Sequence, residues 1–89
     1  MNPTLQAIFE AVIDGQQDSV QQKVKEALKA GLDPALILNE GMIGAMTEVG
    51  RRFEAGEFYV PEMLIAARAM QSGMTLLKPH LPSRPSAAE

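Results

Sequence analysis

The sequence predicts an all-α domain, an antiparallel four-helix bundle in up-down-up-down order, followed by a Pro-rich C-terminal tail. Apolar residues recur at helical spacing in four segments, and no segment alternates with the period of two that a half-buried strand requires. Asp, Pro and Gly fall between the segments, at positions where helices start and stop. Short connections then place consecutive helices antiparallel. The predicted helices cover residues 4–14, 17–30, 34–53 and 61–78.

Leu5, Ile8, Phe9 and Val12 form one apolar stripe on a first helix that opens after Pro3 and closes near Asp14-Gly15. Val20, Val24, Ala27 and Leu28 repeat the spacing on a second helix, and Gly31 supplies the left-handed residue after its last turn. Asp33-Pro34 reads as an N-cap followed by proline at the first helical position, where its missing N–H costs nothing. The third helix carries a seam of Leu38, Met42, Met46, Val49 and Phe53, and Glu54-Ala55-Gly56-Glu57 breaks it. Pro61 and Glu62 open a fourth helix, with Met63, Leu64, Ala67, Met70, Met74 and Leu77 expected inward. From Pro79 onward, three prolines and small residues leave little to bury. The domain is therefore expected over residues 1–79, with 80–89 as a linker or tail.

Eighty-nine residues make one small domain with a thin core and no deep enclosed active site to spare. With 46% hydrophobic and 21% charged residues, usage is that of an ordinary globular protein. The absence of cysteine removes disulfides and thiol chemistry and fits a cytoplasmic location. No apolar run reaches the roughly 20 residues of a membrane span, and the start lacks signal-peptide order. A net charge of −3 gives counterion-driven nucleic-acid binding little to work with.

Few residues offer chemistry. His80, the single histidine, lies between Pro79 and Leu81 with no carboxylate to orient it, and reads as an exposed side chain. Arg51 and Arg52 point about 100° apart on a helix, so they are expected to be solvated rather than to clamp one anion. Glu54 and Glu57 bracket Gly56 without a converging polar partner. Gly41, Gly44 and Gly50 lie inside the third helix, where each costs on the order of 1 kcal/mol against Ala. Either a neighbouring helix packs tightly there or a flat ligand or partner approaches. The methionines at helical spacing read as core. Phe53, Phe58, Tyr59, Val60 and Met63 crowd the last turn, exceeding what a turn needs and predicting an exposed apolar patch.

The run Gly50-Arg51-Arg52-Phe53-Glu54-Ala55-Gly56-Glu57-Phe58-Tyr59-Val60-Pro61-Glu62 is preceded by Leu36-Ile37-Leu38-Asn39-Glu40-Gly41-Met42 and followed by Ala66-Ala67-Arg68-Ala69-Met70. Together these resemble the helical cap domain of cobalamin-dependent methionine synthase and of the corrinoid proteins of methyltransferase systems. The resemblance covers about residues 4 to 79. It implies a four-helix bundle preceding a Rossmann-like cobalamin domain and covering the methyl-carrying face of the corrin ring. Phe53, Val60 and Met63 are the residues it places over the ring, with no catalytic residue and no metal ligand in the cap. The lower cobalt ligand of such proteins is a His within Asp-x-His-x-x-Gly, a motif this chain does not contain, so the resemblance gives His80 no such role. It also implies a methyltransferase partner and a linker after residue 81. The rival reading, from a different class, is a stand-alone helical module that uses the same apolar end to dimerise or to dock a partner.

Overall fold

A computed structural model describes residues 2–81, and within them every regular element is helical. The elements are α1 (Pro3–Ile13), α2 (Gln17–Lys29), α3 (Pro34–Leu36), a π-helical segment (Ile37–Ile43), α4 (Gly44–Glu54), α5 (Val60–Leu77) and a short 3₁₀ turn (Lys78–His80). The chain stays right-handed helical through Leu36, Ile43 and Gly44, so α3, the π segment and α4 form one continuous third rod. The result is a bundle of four helical rods. The Pro-rich stretch from Pro82 to Glu89 lies outside the described residues.

Local chemistry sets the rod ends. Asn2 Oδ1 accepts the Thr4 N–H at 2.7 Å, and Asp33 Oδ1 accepts the Ala35 N–H at 3.0 Å, each just ahead of a proline at the helix start. α1, α2 and α4 all stop in the same way. The N–H groups of Gly15, Gly31 and Gly56 bond to Val12, Leu28 and Phe53 carbonyls, and those of Gln16, Leu32 and Glu57 reach back to Ala11, Ala27 and Arg52. This is the Schellman pattern, and its left-handed residue is a glycine each time.

The core is built from Leu5, Ile8, Val12, Val20, Val24, Ile37, Met42, Val49 and Leu77, with Ala27, Ala45, Ala66 and Ala69 between the rods. α1 packs on the other three rods, and α2 lies against α1 and α5 with little reach to the third rod. Two expectations about register need correction. The third-rod seam begins at Ile37, fully buried, instead of Leu38, because the Gly44 N–H bonds to the Asn39 carbonyl five residues back. Counting five back from buried Met42, as a π turn requires, lands on Ile37. On α5 the inner face is Ala66, Ala69, Gly73 and Leu77, with Met63, Met70 and Met74 on its half-buried flank and Leu64 53% exposed. Small residues win that face because α2 comes close: a Cβ on Gly73 would lie 2.7 Å from Val20 Cγ1 and 2.8 Å from Met42 Cε. Leu81, just past the 3₁₀ turn, is half-buried against the same core.

Candidate functional site

The turn between α4 and α5 is short and heavily tied. Gly56 reverses the chain with φ +81°, Glu57 and Phe58 N–H groups bond to the Arg52 carbonyl, and the Tyr59 N–H donates to Glu62 Oε1 at 2.6 Å. Glu62 thus caps the start of α5, where a carboxylate also suits the positive end of the helix dipole.

Glu48 is the anchor on the other side. Arg51 donates from Nε and Nη2 to its two carboxylate oxygens at 3.0 and 2.8 Å, and Arg52 Nε donates to Oε2 at 2.8 Å. The expectation that adjacent arginines cannot share one anion is therefore wrong. Positions three and four residues after Glu48 straddle it on the helix surface, and both long arms fold back to reach it. The two hydrogen bonds from Arg51, then the one from Arg52, hold the Glu48 carboxyl at about 2, well below the usual range. Arg51 Nη2 also stands 3.8 Å from Glu57 Oε1, giving Glu57 a cationic neighbour the sequence did not show.

The Arg52 guanidinium lies over the Phe58 ring, 5.6 Å from its centroid. Phe58 is half-buried against the core and shares a cleft of about 210 Å³ with Ile13, Asp14, Glu62 and Ile65. Phe58 therefore plugs the base of the turn. Its neighbours do the opposite: Phe53, Tyr59 and Val60 are 42%, 68% and 56% exposed. Met63 lies one turn into α5, on the side of Val60, and packs partly on the core. Leu64, four residues after Val60, extends the exposed apolar surface; the inward assignment from spacing alone missed it.

Phe53, Val60 and Met63 thus come from the two helix ends that flank one turn, and they share one end of the bundle. They do not line the clefts of about 330, 210 and 420 Å³ on the bundle surface, the last of which lies along α5 at Met70, Gln71, Met74, Thr75 and Lys78. The surface they make is open and apolar, the kind of exposed patch that marks a contact site. Among the described residues no group of His, Asp and Glu is placed to hold a metal ion, and no polar or charged side chain is buried. His80 is exposed in the 3₁₀ turn.

The four rods and the open apolar end define a small helical module, and comparison with known proteins shows its family. The chain matches the family described as B12 binding domain over residues 4–78, and it belongs to that family. It is 38% identical over 77 residues to trimethylamine corrinoid protein 1 of Methanosarcina acetivorans, covering 86% of this chain and 36% of that protein. Dimethylamine corrinoid protein 1 of the same organism is 40% identical over 78 residues, 88% of this chain and 36% of the relative. Among solved structures, the monomethylamine corrinoid protein of Methanosarcina barkeri superposes with a TM-score of 0.78 at 30% identity, over 81% of this chain and 34% of that one. A chain of the methanol:cobalamin methyltransferase complex MtaBC from the same organism does so with a TM-score of 0.81 at 25% identity, over 99% of this chain and 32% of its own length. The chain spans about a third of the length of the relatives it matches.

Proposed function

We propose that this chain is a cap in a corrinoid-dependent methyl-transfer system, laid over the methyl-carrying face of the ring by Phe53, Val60 and Met63. The observation that carries the reading is the outward turn of Phe53 and Val60, 42% and 56% exposed on either side of a tightly braced turn whose own plug is Phe58. Large apolar groups held outward at one end are a cost in water and a gain against an apolar face. The exposed apolar side chains suit the face of a flat ring, and they supply no ligand to its metal among the described residues. When bound, the corrinoid supplies a cobalt centre that accepts and donates a methyl group. This chain's part is to exclude water and restrict access.

On this reading the module is non-catalytic. It works with a Rossmann-like cobalamin domain in cis or in trans that holds the nucleotide tail and the lower ligand, and with a methyltransferase partner. The similarity to methylamine corrinoid proteins supports that setting. Residues 1–79 form the cap, its rods alternate up-down-up-down across connections at 14–16, 30–33 and 55–59, and its place is the cytoplasm. Among the described residues no helix is long and apolar enough to cross a membrane. The test is photolysis of methylcobalamin bound to a cobalamin domain, with and without this chain. A cap slows photolysis, whereas a dimerisation module leaves it unchanged and instead gives a doubled mass in sedimentation.

A further inference from the structure

Three glycines lie on the third rod; tight packing within the bundle accounts for Gly41, whereas Gly44 has room for ordinary contact. A Cβ on Gly41 would stand 3.1 Å from Ile8 Cγ2, and one on Gly44 would lie 3.5 Å from the Asn39 carbonyl oxygen and 3.7 Å from the Phe9 ring. At Gly50 a Cβ would meet nothing within 4 Å. Gly50 is not a left-handed residue and does not end the helix, a task that falls to Gly56. Glycine inside a helix is disfavoured against alanine, and half-buried Gly50 has room for a Cβ, so its retention needs a reason from outside these packing contacts.

Its position supplies one. Gly50 precedes Phe53 by three residues and follows half-buried Met46 by four, so it shares their flank of α4, one turn from the exposed Phe53 ring. We infer that Gly50 is a clearance position of the lid, where the missing side chain lets the corrin ring lie against the α4 backbone beside Phe53. This rests on the cap reading above and adds a fourth contact position to it, one made of backbone. A side chain at 50 would project beside Phe53 and hold the ring away from it, while its Cβ would touch nothing inside the bundle.

The test joins the chain to the cobalamin domain of a methylamine corrinoid protein, loads it with methylcobalamin, and compares Gly50→Ala, Gly50→Leu and Phe53→Ala. The readouts are photolysis rate and melting by circular dichroism. Gly50→Ala should melt at or above the wild-type temperature yet photolyse faster, and Gly50→Leu should photolyse about tenfold faster, as expected if the closed lid loses its advantage over the open one. If Phe53→Ala speeds photolysis while Gly50→Leu matches wild type, the cap reading stands and the role of Gly50 is overturned. If neither variant changes photolysis, the cap reading itself has failed. A lower melting temperature for Gly50→Ala would mean that the space is filled by packing, which also overturns the inference.

Discussion

Phe53→Ala separates a lid residue from a core residue, because the two roles predict different stability losses. The substitution removes roughly 100 Å² of apolar side-chain surface, and with Phe53 42% exposed a little under three fifths of that is buried. At about 25 cal/mol per Å² the lost burial is about 1.5 kcal/mol. No cavity term is added, since water enters the space, whereas an enclosed Phe costs about 3 to 5 kcal/mol when truncated to Ala. For a domain of this size the lid value lowers the melting temperature by about 6 to 12 °C. Thermal unfolding followed by circular dichroism measures that loss in the isolated chain. Photolysis of methylcobalamin, with the chain joined to a cobalamin domain, measures protection, which should fall steeply in the same variant. A full core-sized loss of stability together with unchanged photolysis would refute the reasoning, since Phe53 would then be serving the bundle and not the ring.

The other expectations rest on different parts of the molecule. Gly15 and Gly31 both sit at positive φ, but a Cβ at Gly15 would run into Ile65 Cγ2 while one at Gly31 meets nothing within 4 Å. Gly15→Ala should therefore destabilise by about 1 to 3 kcal/mol more than Gly31→Ala in urea unfolding, the difference being the steric part alone. The Glu48 carboxyl is depressed in the folded chain, to about 2 from its ordinary 4.5, so its stabilising share is present above the ordinary value and is lost as pH falls from there towards 2. Urea midpoints of wild type and Glu48→Gln should differ at neutral pH and converge on acidification; parallel pH profiles would dismiss the arginine brace. Calorimetric titration of the chain alone with methylcobalamin should show weak or no binding, because one apolar face recovers little beyond the cost of association; a tight one-to-one complex would overturn the division of labour between two domains.

How much of this was legible in the sequence depends on what each feature is made of. Helix ends were readable because their causes are local: Asp33 caps, Pro34 starts and Gly31 stops within a few residues of one another. The inner faces were readable on α1 and α2, where Leu5, Ile8, Val12, Val20 and Val24 follow one straight period. On the third rod the same counting found half-buried Leu38 but missed fully buried Ile37, since a π turn carries no composition signal strong enough to announce its extra residue. On α5 it failed because counting large apolar residues assumes that large means inward. Close approach of α2 instead reserves the inner face for Ala66, Ala69 and Gly73 and displaces Leu64 to the surface, a tertiary effect invisible to periodicity. At the turn, composition announced an apolar excess but not its division. Phe58 and Phe53 are chemically identical, yet Phe58 packs against the core with the Arg52 guanidinium over its ring, while Phe53, at the Schellman end of α4, stays exposed.

That division bears on how a lid can be both firm and releasable. Its base must be rigid, and here Glu48, Arg51, Arg52, Glu62 and the Gly56 reversal fix the turn through hydrogen bonds internal to the module, which opening would not break. Its tip must hold the ring only moderately under the proposed function, because a methyl-transfer partner needs the same face. The exposed fractions of Phe53 and Val60, with the flank of Met63, offer on the order of a few kcal/mol of apolar burial at most. Such a preference keeps the open state populated at about 0.1 to 10%, enough for a partner that binds it to draw the lid aside without breaking the bundle. A larger apolar tip would shield better and release worse. Phe58 shows the alternative disposal of an aromatic at this turn, inward and under an arginine, where it strengthens the hinge without adding to the grip.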